Sequence, residues 1–323
     1  MNLVLGFDTS NYTTSAAAFC PDTNTVWHAK QLLPVKPGEK GVRQSDAVFH
    51  HTQQLPPLLE QVLREAAEGT GRSRTDLSRS VTAIGVSSRP RRVEGSYMPC
   101  FTVGLTQAKA LGALLDVPVC EFSHQEGHIA AALYSAGRLD LMGQEFLAFH
   151  VSGGTTESLR VAPGPDCPVE ASLMGTSTDL KAGQAVDRTG ILLGLDFPCG
   201  PALEELALRS ERTFRIRPSA EGLDCSLSGV ENQCQKMLAE GEAPEDIALF
   251  CLKSVGAALE HMADALVAAC PGRHLLFSGG VMSNQILRGN LEPRYDCSFA
   301  SPEFSADNAA GVAVLAACKT KEG

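Results

Sequence analysis

No stretch of this 323-residue chain approaches the roughly 18 apolar residues in a row that a membrane-crossing helix requires. The opening Met1-Asn2-Leu3-Val4-Leu5-Gly6 has no basic segment ahead of an apolar one, so no secretory signal and a cytoplasmic location are expected. Eleven cysteines form no CxxC pair, which excludes the common cysteine zinc sites and argues against a disulfide framework. Reduced, mostly buried thiols are expected instead. There is neither a Walker A sequence nor GxGxxG, so the two commonest phosphate loops are missing. Positive charge is also short, with 27 Lys and Arg against 37 Asp and Glu and a net charge of −10. Such a chain does not grip RNA through bulk electrostatics; any RNA contact needs a local patch or a basic partner. What remains is ordinary for a globular protein, 44% hydrophobic and 20% charged, and long enough for two lobes or one large domain.

The patterning is α/β. Leu3 to Asp8 reads as a buried strand, followed by the polar turn Thr9 to Thr14 and apolar runs at Ser15 to Cys20 and Thr25 to Lys30. The same grammar returns at Phe146 to Val151, Ser152-Gly153-Gly154-Thr155-Thr156 and Glu157 to Val161, which suggests a duplicated fold. Helical spacing runs over Asp46 to Ala67, where Pro56-Pro57 is expected to end, kink or restart the helix. Ser80 to Ser87, Val117 to Phe122 and His274 to Phe277 read as strands. Thr102 to Leu115, His124 to about Ser135, Ile247 to Ala269 and Ala306 to Cys318 read as helices. Gly69 to Ser80 reads as a polar connector. Strands alternating with helices imply mixed sheets covered by helices.

His124-Gln-Glu-Gly-His128 sets two imidazoles on one helical face, a spacing that suits one divalent cation or a pair of packed, capping histidines. A zinc protease would place Glu directly after the first His; Gln125 stands there, and that class is rejected. Asp8-Thr9-Ser10, Ser152 to Thr156 and Ser278-Gly279-Gly280 each follow an apolar strand and suit close approach to phosphate, though each is also a simple turn. Asp179 and Asp187 flank Lys181 to Gln184 and are either surface carboxylates or groups near a nucleotide. Asp307 opens the last helix, where capping and ligation are compatible. Arg89-Pro90-Arg91-Arg92, the one dense basic cluster, reads as an exposed loop or as a contact to phosphates.

In this order, these segments resemble the TsaD/YgjD family of tRNA threonylcarbamoyladenosine transferases. The resemblance runs through Gly6 to Ser10, His124 to His128, Val151 to Gly154, Asp179 to Asp187, Phe197 to Pro201, Leu227 to Gly229, Ser278 to Asn284 and Asp307 to Ala310. It implies a duplicated actin-like ATPase fold, ribonuclease H-like in each of two lobes, divided here at 1–125 and 126–323 with helix 306–318 packing back. It implies one divalent metal, iron or zinc, held by His124, His128 and Asp307, with Mg and ATP as a further possibility. It also implies nucleotide or threonylcarbamoyl-AMP contacts at His150, Val151, Ser152, Gly153, Gly154, Asp187, Gly200 and Asn284.

The implied activity is transfer of a threonylcarbamoyl group to N6 of adenosine in tRNA, in a heteromeric complex with related subunits that help hold the tRNA. No catalytic residue is implied beyond the metal site. The chain departs from the family at Asn11, where cysteine is usual, and at Tyr12 and Thr13, where acidic residues are usual. It departs also at Thr155 for histidine, Leu180 for aspartate, Gln184 for glutamate, and Arg89-Pro90-Arg91 for a glycine-proline-glycine loop. Those changes keep a second reading open, a non-catalytic or altered-substrate paralog that binds nucleotide and metal.

Overall fold

Apolar strands joined by short polar turns build the same five-stranded sheet twice. A computed structural model describes residues 1–10, 12–34, 42–305 and 309–321. The first sheet contains β1 (Leu3–Asp8), β2 (Thr13–Cys20), β3 (Thr25–Leu32), β4 (Val81–Arg89) and β5 (Val119–Ser123), in the order β3-β2-β1-β4-β5. β1 runs antiparallel to β2, with Phe7 opposite Ala16, and parallel to β4, with Gly6 opposite Gly85. β1 and β2 are buried along their whole length, which is why they read as unbroken apolar runs rather than alternations. With this sheet go α1 (Gln44–Thr70), α2 (Arg74–Arg79), α3 (Phe101–Leu115) and α4 (His124–Ser135).

The second sheet contains β6 (Phe146–Val151), β7 (Thr156–Ala162), β8 (Glu170–Thr176), β11 (Leu275–Ser278) and β12 (Cys297–Phe299), in the order β12-β11-β6-β7-β8. Read from β8, its neighbours follow the same sequence as the first sheet read from β3, so the duplication expected from the two hairpins is present. A two-stranded ribbon, β9 (Ala220–Glu221) with β10 (Asp224–Cys225), stands apart. The accompanying helices are α5 (Ala182–Leu192), α6 (Gly200–Ala207), α7 (Ser228–Ala239), α8 (Pro244–Ala269) and α9 (Gln285–Leu291). The core of this half joins Leu147, Phe149 and Phe277 of the sheet to Leu252, Leu259 and Leu266 of α8.

The chain forms two compact units. The first holds residues 1–143, 163–170 and 306–323; the second holds 144–162 and 171–305. A boundary at 125/126 would cut α4 after its second residue, whereas the compact unit keeps that helix whole. The final helix, α10 (Ala310–Lys321), lies in the first unit, and its residues from 310 to 317 are all buried. It sits so close to α4 that a Cβ on Gly311 would lie 1.8 Å from the Gly127 carbonyl oxygen, so glycine is required there.

Two local expectations are corrected. α1 neither ends nor restarts at Pro56-Pro57. Both prolines face solvent, where water can satisfy the carbonyls their missing N–H groups leave open, while Leu55, Leu58 and Val62 pin the flanking turns to one core. The supposed connector 69–80 contains α2, capped by Ser73 and anchored by the fully buried Leu77. Eight of the eleven cysteines are buried and all are free thiols. Burial pushes the Cys167 thiol up to about 12.

Candidate functional site

In the first unit the histidine pair sits on the opening turn of α4, and the sequence explains how that turn is held. Ser123 caps the helix: its hydroxyl accepts from the Glu126 N–H at 3.2 Å, and the Glu126 carboxylate accepts from the Ser123 N–H at 2.7 Å. This reciprocal box satisfies two orphan donors of the helix start. Glu126 is 1% exposed, and its charge is met by Arg92, whose Nε and Nη2 donate to the two carboxylate oxygens at 2.5 and 3.2 Å. Beside it, the Gln125 N–H donates to the Pro90 carbonyl at 3.1 Å. The loop after β4 therefore fastens the turn that carries the histidines.

His124 and His128 bring their Nε2 atoms within 2.9 Å of each other. Nδ1 of His124 lies 2.7 Å from Oδ2 of Asp8, which is 1% exposed and also accepts from the Ser87 hydroxyl at 2.6 Å and the Ser10 N–H at 2.8 Å. Burial pushes the Asp8 carboxyl up, but the charge and hydrogen bond of His124, with Ser10 and Ser87, prevail and hold it below its ordinary value. When the His124 ring is neutral, an ionised Asp8 favours its proton on Nδ1 and leaves the Nε2 lone pair free.

Two Nε2 atoms 2.9 Å apart are at hydrogen-bond distance, and the rings would have to part slightly to share a cation. Ideal tetrahedral zinc with Zn–N near 2.0–2.1 Å would separate them by roughly 3.3 Å. Asp307 lies outside the described residues. Among the described residues no cluster of three or more His, Cys, Asp and Glu could hold a metal.

In the second unit His150 and Ser278 stand opposite each other at the carboxyl ends of β6 and β11, which run parallel. His150 Nδ1 lies 3.3 Å from the Ser278 hydroxyl, and a Cβ on Gly279 would meet the Val151 carbonyl oxygen at 2.2 Å. The two strand-end turns are thus in backbone contact. Ser152 closes its own turn, donating its N–H to the Thr155 carbonyl at 2.7 Å and accepting from the Thr155 N–H at 3.2 Å. Gly153 and Gly154 are exposed, with open space where side chains would stand. Behind them the start of α5 presses in: a Cβ on Gly183 would lie 2.6 Å from the Gly153 nitrogen.

Asp187 accepts from the Cys199 N–H at 2.9 Å and so holds the segment that presents Gly200. Asn284 caps α9, accepting from the Leu287 N–H at 3.1 Å. The adjoining Gln285 N–H donates to Glu204 of α6 at 2.7 Å, tying Asn284 to the helix that starts at Gly200. The carboxyl end of parallel strands, flanked by helix starts, is the usual place for an anionic ligand in such sheets.

Asp179, though exposed, is engaged within its own unit. Its carboxylate accepts from the backbone N–H groups of Leu180, Leu227 and Ser228 and from the hydroxyls of Ser226 and Ser228, clasping the start of α7. Burial pushes its pKa up, but these donors outweigh that and hold it well below the carboxylate range. Two departures from the family pattern have local jobs. Leu180 is buried in the core, and the Gln184 side-chain oxygen accepts from the Lys181 N–H at 3.2 Å, completing the α5 start. Sequence reading missed Asp8 as the partner of His124, Arg92 as the clamp on Glu126, and the Ser123-x-x-Glu126 spacing, a capping pattern that could have marked this turn.

A profile of the family described as "TsaD: tRNA N6-adenosine threonylcarbamoyltransferase" matches residues 28–314. A protein of Aromatoleum aromaticum named tRNA N6-adenosine threonylcarbamoyltransferase is 32% identical over 334 aligned positions, covering 99% of this chain and 92% of its own length. A protein of Methanothermobacter thermautotrophicus named as a probable bifunctional tRNA threonylcarbamoyladenosine biosynthesis protein is 26% identical; the alignment covers 87% of this chain and 49% of that relative, about half its length. Among solved structures, full-length HypF in its phosphate- and nucleotide-bound form matches all of this chain and 56% of its own at a TM-score of 0.58 and 12% identity. Component A of the Acidaminococcus fermentans (R)-2-hydroxyglutaryl-CoA dehydratase matches 99% of this chain and 100% of its own at 0.55 and 16%. These structural likenesses establish the duplicated actin-like fold.

Proposed function

The chain belongs to the TsaD family of tRNA N6-adenosine threonylcarbamoyltransferases, and from that membership we propose that it transfers a threonylcarbamoyl group from threonylcarbamoyl-AMP to adenosine N6 of a tRNA with the help of one bound divalent metal. The observation that carries the metal reading is the convergence of His124 and His128 on one helical face, with the Asp8 carboxylate against Nδ1 of the first ring. His124, His128 and, from the family pattern, Asp307 would hold the ion. Iron or zinc suits two imidazoles and a carboxylate. When bound, such an ion supplies Lewis acidity toward a carbonyl oxygen of the carbamate.

The chain's own residues do the rest. The exposed Gly153 and Gly154, with Gly200 at the start of α6, would bring backbone close to the AMP part of the donor. Asp187 and Asn284 keep those segments in place. The N6 amine attacks the carbamoyl carbon and loses one proton to solvent water, and the bond from that carbon to the phosphate oxygen breaks, its electron pair leaving with AMP. With a net charge of −10, the chain needs related or basic partner subunits to present the tRNA.

Leu180 in the core and Gln184 at a helix start favour a second reading, a paralog that binds nucleotide and metal but has a changed acceptor. One experiment separates the two. Protein purified without added metal is analysed for bound metals and then given threonylcarbamoyl-AMP, unmodified tRNA and its partner subunits. Retained metal and modified tRNA, both lost in His124→Ala, support the first reading. Metal and AMP binding without tRNA product supports the second, and metal content unchanged in His124→Ala sinks the metal site in either.

A further inference from the structure

The first unit carries a groove of about 950 Å³ that has no part in the chemistry above. Its walls come from Arg89 and Arg92, from Lys319 and Thr320 at the end of α10, and from the carboxylates Glu121 and Asp166. The charges on this lining do not cancel evenly. Glu121 is paired with Lys109 at 3.0 Å, and Asp166 faces Arg92 at 3.7 Å. Arg92 is further committed to buried Glu126 and lies 3.7 Å from Glu170, so it has no charge to spare. Among the described residues Lys319 donates to the Asp166 backbone carbonyl at 3.2 Å. Arg89, opposite Ser123 in the sheet, is the exception: its Nε is buried and meets no acceptor among the described residues.

A guanidinium nitrogen removed from water and left without an acceptor is unfavourable unless a ligand supplies one. The rigid fork of arginine matches a phosphate or carboxylate edge, and a second cation with a nearby hydroxyl favours the more highly charged phosphate. The groove volume suits a nucleotide-sized body rather than a lone ion. We propose that this groove binds a phosphate group through Arg89, with Lys319 and Thr320 as supporting donors, and that the phosphate belongs to a nucleotide, either free or within an RNA strand.

The test is equilibrium dialysis of the full chain with radiolabelled AMP and, separately, with a short labelled single-stranded RNA over a range of salt. Wild type is compared with Arg89→Gln, Arg89→Lys and Asp166→Asn, after thermal melting shows each variant folded. Arg89→Gln is expected to lose one equivalent of bound AMP, or about tenfold in RNA affinity, the scale of one charged hydrogen bond. Because the readout is the loss of one equivalent, it holds whether or not the second unit also binds AMP. Arg89→Lys is expected to keep part of the binding, and Asp166→Asn to tighten it. Loss confined to AMP assigns a free nucleotide. A salt slope that falls by about one in Arg89→Gln assigns an RNA phosphate. Equal AMP stoichiometry and equal RNA binding in wild type and Arg89→Gln would overturn the proposal.

Discussion

Replacing Arg92 with Leu removes the partner of a carboxylate that is 1% exposed. Glu126 would keep its bond from the Ser123 N–H and the favourable field of the α4 start, but its charge would have no cation within contact. Breaking a buried pair from one side costs about 3–5 kcal/mol. Arg92 itself is 23% exposed, so the pair is not fully dry, and the helix field offsets part of the loss; a cost of about 3 kcal/mol is expected. Glu126→Gln should cost less, about 1–2 kcal/mol, because the amide oxygen can still cap Ser123 and Arg92 still faces Asp166 and Glu170.

The double variant no longer buries an unpaired carboxylate, so it should be more stable than the sum of the single losses predicts, with a coupling of about 1–2 kcal/mol. Trp27, the only tryptophan, lies in β3 of the first unit, and its emission during urea unfolding reports that unit separately. A loss below about 0.5 kcal/mol in Arg92→Leu, or strict additivity in the double variant, would refute the clamp.

Gly183→Ala drives a methyl to 2.6 Å from the Gly153 nitrogen and should displace the Ser152–Gly154 turn, weakening AMP binding by about tenfold at a stability cost of about 1–3 kcal/mol. Calorimetric titration checks this, and undiminished affinity would detach that turn from nucleotide binding. Asp179, depressed by the donors at the start of α7, contributes stability that is complete above the ordinary carboxylate value near 4 and fades as pH falls through its lower folded value. Asp179→Asn should therefore be less stable than wild type at pH 7, with the gap closing below about pH 4. Urea midpoints across that range measure it, and a gap that widens in acid would contradict the assignment.

Much of the frame is local and was legible in residue order. Leu3–Asp8 and Phe146–Val151 are strands because unbroken apolar runs bounded by polar turns have few other ways to bury themselves, and α4 starts at His124 because Ser123 and Glu126 cap it. The spacing of His124 and His128 already put both rings on one face. Short strands such as β12, three residues long, carry no periodicity of their own and exist only because β11 offers them an edge. The pairing of Asp8 with His124 across 116 positions, the grip of Arg92 on Glu126, and the engagement of Asp179 at the start of α7 were decided by tertiary structure alone. Chain order fixes which groups are present and how neighbours repeat. Which buried charge meets which partner depends on how distant segments fold together, because each must find its counterion wherever the chain returns.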